Sequence, residues 1–201
     1  MAADAGRVHL AHRLIFIRHG ETDWNVERRL QGQKDTPLNP HGREQAARNG
    51  HALRAIEGVP GYDFAASPLK RSIDSMRIIR GELGLPRDAF RIDRGLIEIT
   101  FGSWEGSTLA ELAIDRPDDV RRRQADKWGF VPPGGESYEM LAVRVRRWLE
   151  SVDRDTVAVS HGAVARVVQG LLIGHDQHEI PTLPAHQDRV FVWSGGEARW
   201  L

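Results

Sequence analysis

The apolar run Leu14-Ile15-Phe16-Ile17 and the stretch Thr156-Val157-Ala158-Val159, apolar after its first residue, stand out from long segments whose apolar residues are spaced at helical intervals. Continuous apolarity over four residues predicts a strand covered on both faces. A further strand is predicted over 62–66 and a short edge strand over 90–93. Helical spacing is predicted over 42–56, where Ala46, Leu53 and Ile56 share a side, over 68–83 up to Gly84, over 138–151 and over 163–173. Residues 107–114 and 117–127 make a strongly charged helical excursion. Pro132-Pro133-Gly134-Gly135-Glu136-Ser137 reads as a turn and helix cap, and 189–193 and 197–201, on either side of Ser194-Gly195-Gly196, read as a terminal hairpin. Strands alternating with helices predict an α/β fold with a mostly parallel central sheet covered by helices on both faces. No low-complexity linker divides the 201 residues, so a single domain over 1–201 is expected.

The candidate chemistry sits where the strands end. Arg18-His19-Gly20-Glu21-Thr22 follows the first apolar run and Ser160-His161-Gly162 follows the second. If the two strands are parallel neighbours, their carboxyl ends place His19 and His161 in one crevice, the usual place for ligands in such sheets. A neutral imidazole is a nucleophile that can take a phosphoryl group, and Arg18 offers a planar fork of donors matched to phosphate oxygens. The plain alternative is a strand end whose buried His19 pairs with Glu21. Gly20 permits close approach of backbone to an anion, and Asn25 supplies a neutral amide. Ser67-Pro68-Leu69-Lys70-Arg71 follows the strand at 62–66; there Ser67 is expected to cap a helix, Pro68 to open it and Arg71 to lie in its first turn, near an anion-favouring helix terminus. Glu98 and Glu105 lie in an apolar, glycine-containing loop. A carboxyl held beside apolar groups and a phosphate is expected to titrate high, as a general acid requires. The alternative is a loop carboxylate paired to an arginine.

In order and spacing these motifs resemble the histidine phosphatase superfamily, which also contains the cofactor-dependent phosphoglycerate mutases. The resemblance runs from about Leu14 to about Leu172. It implies a three-layer α/β/α, phosphoglycerate mutase-like fold, with His19 as the phosphorylated nucleophile and Asn25 and Arg71 in the phosphate pocket. His161 matches the second histidine motif, with Gly162 behind it. Glu98 falls in Leu96-Ile97-Glu98-Ile99-Thr100-Phe101-Gly102-Ser103-Trp104-Glu105-Gly106, similar to the pattern of the phosphatase branch, which makes it the implied proton donor. Gln31-Gly32 is implied to lie near the substrate entrance, and Asp35-Thr36-Pro37-Leu38 with Gly42 also match family landmarks. Two departures stand out. Ser75 occupies a position where Thr is common, and 183–188 lacks the usual Asn-small-Ser lead-in to the last long strand, which puts that loop's ligand contacts in question.

Bulk properties narrow the class. Formal net charge is zero, which argues against a nucleic-acid partner and confines any positive field to a pocket. With no cysteine there is no disulfide, thiol nucleophile or Cys-ligated metal. Residues 1–13 lack the apolar stretch of a secretory signal and no run reaches membrane length, so a cytoplasmic protein is expected. His175 and His178 stand beside Asp176 and Glu179 without a strong ligand framework, and no metal or cofactor is expected. Arg121-Arg122-Arg123 reads as the wet face of a helix, within reach of an anionic substrate only if the excursion folds back. The expected activity is a phosphoric monoester hydrolase acting through phosphohistidine on a small phosphorylated metabolite. The runner-up is a phosphoglycerate mutase with the same intermediate, and a third reading is a non-catalytic phospho-ligand binder. A homodimer is open, since the hydrophobic strand at 189–193 has either an internal or an external partner.

Overall fold

A computed structural model describes residues 7–201. The first six residues of the predicted domain, and of the stretch 1–13 read for a signal, lie outside the described residues. Six strands form one sheet in the order β3-β2-β4-β1-β5-β6. They are β1 Leu14–Arg18, β2 Asp63–Ala66, β3 Arg91–Ile92, β4 Thr156–Ser160, β5 Phe191–Ser194 and β6 Glu197–Trp200. The first four are parallel, whereas β5 runs antiparallel to β1 and forms a hairpin with β6. The helices are α1 Asp23–Val26, α2 Pro40–Leu53, α3 Lys70–Glu82, α4 Leu109–Asp115, α5 Pro117–Ala125, α6 Tyr138–Glu150 and α7 Gly162–Ile173. No helix among the described residues is long and apolar enough to cross a membrane.

Strand alternation sorts the core into two layers. Leu14, Phe16, Ala65, Ala158, Phe191 and Trp193 pack with Leu141, Val145 and Trp148 of α6 and Val164, Val168 and Leu172 of α7. Ile15, Ile17, Phe64, Ala66, Val157 and Val159 face the other way, onto Leu53 of α2 and Met76 and Ile79 of α3. Both faces of β1 and β4 are therefore dry, which is why their sequences are continuously apolar. The charged excursion, α4 and α5, has a small core of its own in Trp104, Leu112 and Val120.

Several expected boundaries move. The 42–56 helix begins at Pro40, because Asn39 caps it by accepting from the Gly42 amide and Pro40 fits the first turn. The helix expected from Pro68 begins at Lys70, with Leu69 at its cap position and no side-chain cap, so Ser67 is not its cap. The short α1 was not anticipated; Thr22 and Asn25 close a reciprocal capping box there. The hydrophobic strand at 189–193 is paired on both sides, by β1 and β6, so its edge is filled within the chain. Of the arginine run, Arg121 and Arg122 are exposed and pair with Asp118 and Asp119, whereas Arg123 turns inward and is half-buried.

One close approach fixes the loop after β1. A Cβ on Gly20 would fall 2.0 Å from the Gly42 carbonyl oxygen, and a Cβ on Gly42 would fall 2.1 Å from that of Glu21. Backbone packed on backbone has no flexible side chain to yield. Gly42→Ala is therefore expected to lower stability by about 1–3 kcal/mol, read as a lower urea midpoint with unchanged slope; an unchanged midpoint would show that the contact has slack.

Candidate active site

The parallel register of β1 and β4 sets Arg18 opposite Ser160, and the His19 amide donates to the Ser160 carbonyl at 2.9 Å. The next residue of each strand is a histidine, so the two imidazoles meet with ring centres 5.1 Å apart. Both are buried, His19 at 2% exposure and His161 at 0%. Burial first, and Arg71 next, hold both imidazoles well below the usual histidine range, so they are neutral at neutral pH.

Ring orientation follows from the partners. His19 Nδ1 lies 2.7 Å from the Gly20 carbonyl, which can only accept, so the proton is on Nδ1 and Nε2 carries the lone pair. Arg71 Nε donates to that Nε2 at 3.2 Å. Arg71 is itself 1% exposed and clamped by the carbonyls of Lys34 and Gly32, each at 2.7 Å. Gly32 presents its carbonyl from a positive φ of 53°, and a Cβ there would strike the Glu105 carboxylate at 2.0 Å. Glu21 accepts from Asn39 instead of pairing with His19.

His161 is ordered by residues the sequence did not assign to it. The Ser67 hydroxyl lies 2.6 Å from His161 Nε2, with Ser72 Oγ at 3.3 Å. Ser67 also accepts from the Leu69 amide at 3.4 Å; in the tautomer that takes the Ser67 proton on Nε2, the imidazole proton is on Nδ1. That Nδ1, buried, has no partner among the described residues. Arg18 Nε is orphaned in the same way, while its Nη1 donates to the Ala185 carbonyl at 2.8 Å. Burial and Arg166 bring the Arg18 pKa down to about 10, still fully charged at neutral pH. The unsatisfied Arg18 Nε–H and, in that tautomer, His161 Nδ1–H stand beside an imidazole lone pair and make a site for an oxyanion.

Glu98 completes the rim. One of its carboxylate oxygens accepts from the Ile99 amide at 3.0 Å and the other from the Ala163 amide at 3.3 Å, at the N-terminus of α7. Its loop is held by Ser160 Oγ on the Leu96 carbonyl, Gln33 Nε2 on the Glu98 carbonyl, and Arg144 on the carbonyls of Gly95 and Ile97. Glu105 has a different place. Its Oε1 gathers the Gln33 and Phe101 amides and the Thr100 hydroxyl, tying this loop to the one that carries Gly32. Gly162 lies beneath the pocket, where a Cβ would touch the guanidiniums of Arg18 and Arg166 at 3.5 Å.

The remaining expected residues support these. Asn25 Oδ1 accepts from the Thr22 amide at 3.1 Å and from Gln187 Nε2 at 3.2 Å, which makes Nδ2 the free donor end. Gln31 is buried, with Oε1 accepting from the Thr36 hydroxyl at 2.6 Å. Ser75 Oγ accepts from the Gly20 amide at 3.1 Å, so the Thr-to-Ser departure keeps its hydroxyl in use. Gln187, in the divergent loop, donates to the His19 carbonyl at 3.1 Å and to Asn25, which restores a link between that loop and the pocket. His175 approaches Glu179 at 3.4 Å; among the described residues no group of three or more His, Asp and Glu is placed to hold a metal ion.

Comparison with known proteins agrees with the geometry. The model of the histidine phosphatase superfamily (branch 1) matches residues 14–200. A bifunctional protein of Mycobacterium tuberculosis is 34% identical over 157 residues, 78% of this chain; the match spans only 40% of that relative's length. The glucosyl-3-phosphoglycerate phosphatase of the same species is 32% identical over 176 residues, 81% of this chain and 76% of its own. The crystal structure of the α-ribazole phosphatase from Shigella flexneri superposes with a TM-score of 0.79 at 27% identity, covering 92% of this chain and 93% of that one. On the motifs, the fold and the match along almost its whole length, the chain belongs to branch 1 of the histidine phosphatase superfamily.

Proposed function

We propose that this protein hydrolyses the phosphomonoester of a small phosphorylated metabolite through a phosphohistidine at His19. The observation that carries this reading is the His19 Nε2 lone pair, fixed by the Nδ1 contact to Gly20 and facing the buried guanidinium of Arg71. An entering phosphate replaces the imidazole as acceptor for Arg71 Nε, and its other oxygens take the orphaned donors Arg18 Nε and His161 Nδ1. Asn25, Gln31, Gly32 and Gly162 shape and brace that pocket.

In the first half-reaction the Nε2 electron pair forms a bond to phosphorus as the bond to the leaving oxygen breaks. Glu98 protonates that oxygen as it departs. The fixed cations Arg18 and Arg71 meet the charge spreading over the equatorial oxygens, and the Gly20 carbonyl steadies the positive imidazole through Nδ1–H. In the second half Glu98, now ionised, takes a proton from water; the water oxygen bonds to phosphorus, and the electron pair of the P–N bond returns to Nε2. The charge stabilisation in this scheme comes from the chain itself, without metal or cofactor. The reading is of a cytoplasmic, single-domain enzyme, and its zero formal charge argues against a nucleic-acid partner. It includes a homodimer only through surfaces other than β5.

Mixing with a radiolabelled phosphorylated substrate and quenching in alkali is expected to leave label on the wild-type chain and none on His19→Ala, whose turnover falls by roughly 10³-fold or more. Label without release of phosphate, with 3-phosphoglycerate converted to 2-phosphoglycerate, would mark a mutase; no label on the wild type would mark a binder.

Glu98→Gln is expected to reduce kcat by about 10²–10⁴-fold on an alkyl phosphate, whose leaving group needs a proton, and much less on an aryl phosphate. Equal losses on both would remove Glu98 from the acid role.

A further inference from the structure

The nucleophile and Asn25 lie on separate pieces of chain, and one side-chain amide joins them. Asn25 belongs to α1, a single helical turn, and a helix that short does not hold itself in water. Within the turn, Asn25 Oδ1 accepts from the Thr22 amide at 3.1 Å and from the Thr22 hydroxyl at 3.2 Å. Among the described residues the one hydrogen bond to this side chain from outside the turn comes from Gln187 Nε2, at 3.2 Å. The same Nε2 donates to the His19 carbonyl at 3.1 Å, and among the described residues no other group does. An amide nitrogen carries two N–H groups, one for each of these acceptors. A carbonyl can only accept, so the Gln187 amide presents Nε2 and not Oε1 to His19.

Gln187 is held at its base by the fold. Residues 183–190 form neither helix nor strand, and their course is set by side chains that donate to their carbonyls. Asn49 Nδ2, from a buried residue of α2, donates to the Gln187 carbonyl at 3.0 Å. Arg18 Nη1 donates to the Ala185 carbonyl at 2.8 Å and Gln169 Nε2 to the Pro184 carbonyl at 3.0 Å. This is the stretch in which the sequence departs from the family's pattern, so the Gln187 amide is the chain's own means of attaching the loop to the pocket. Donation into Asn25 Oδ1 polarises that amide and strengthens its Nδ2–H groups toward an anion. The bond to the His19 carbonyl keeps the same donor in a fixed relation to the attacking imidazole, where small displacements cost rate.

We propose that Gln187 is a positioning residue of the phosphate pocket: its amide bridges the His19 main chain to the Asn25 side chain and sets Asn25 Nδ2 against the phosphoryl group that His19 attacks. This rests on the phosphatase reading above and deepens it with a residue that itself stays off the phosphate.

The test reads inhibition by orthovanadate against an activated aryl phosphate, whose leaving group needs no proton, so that Glu98 stays out of the comparison. Gln187→Met keeps the reach of the side chain without a donor, and Gln187→Glu keeps its shape but turns an acceptor on two acceptors. Each is expected to weaken orthovanadate by about tenfold, the Glu variant at least as much as the Met variant. A cycle with Asn25→Ala separates aim from general loosening: in that background Gln187→Met is expected to cost no more than about twofold, because the group it aims is gone. The cycle runs equally with Gln187→Glu should the Met variant not fold. Losses that multiply across the cycle, or a Gln187→Glu variant inhibited as tightly as the wild type, overturn the positioning role and leave the phosphatase reading standing. A wild type that neither hydrolyses the aryl phosphate nor responds to orthovanadate overturns the phosphatase reading and the role of Gln187 with it.

Discussion

The in-register parallel pairing of β1 with β4 is the constraint on which everything else turns. It is driven by burial of two continuous apolar strands between helical layers, and it leaves no freedom in where the residues after them arrive. A register slip of one residue would send Phe16 and Ile17 to the wrong layers and separate the histidines. The same hydrophobic pattern that makes the fold therefore brings the two histidines side by side, and the pocket's hydrogen bonds turn their rings to a separation of 5.1 Å.

Once assembled, the pocket is held in a state poised for an anion. Two imidazoles are kept neutral by burial and by a guanidinium that is pinned on two carbonyls, while Arg18 Nε and His161 Nδ1 stand without partners. Such an arrangement is unfavourable in the free protein and is relieved by an oxyanion, so part of the stability given up at the site returns as affinity and as preorganisation. The supporting contacts come from distant segments. Glu105 braces the Gly32 carbonyl, Ser75 the Gly20 amide, and Arg144 the Glu98 loop. The geometry of the site is thus spread through the whole layer at the strand ends.

How much of this could be read from the sequence depends on whether the determinant is local. The strand-His-Gly units at His19 and His161, the position of Arg71 in the first turn of its helix, and the terminal hairpin are local patterns, and they stand where expected. Ser67 carries the local signal of a cap-forming serine before Pro68, but the helix starts two residues later and the Ser67 hydroxyl faces His161 because β4 lies beside β2, a tertiary fact. Arg166 stands inside an apolar helical run with nothing local to mark it, yet it shares the space over Gly162 with Arg18. Gln187 lies in a loop with no periodicity to read, so its link to His19 and Asn25 needed coordinates. Helix α1 is a single turn, too short for hydrophobic periodicity, and its capping box was its one sequence signal.

The most direct measurement is a crystal structure of the protein with orthovanadate, which takes the geometry of a phosphoryl group in transfer. The account predicts vanadium bonded to His19 Nε2, its oxygens on Arg18, Arg71 and His161 Nδ1, and Glu98 at the oxygen opposite the imidazole. Vanadate bound elsewhere, or bound with His19 Nδ1 turned toward it, would contradict the account.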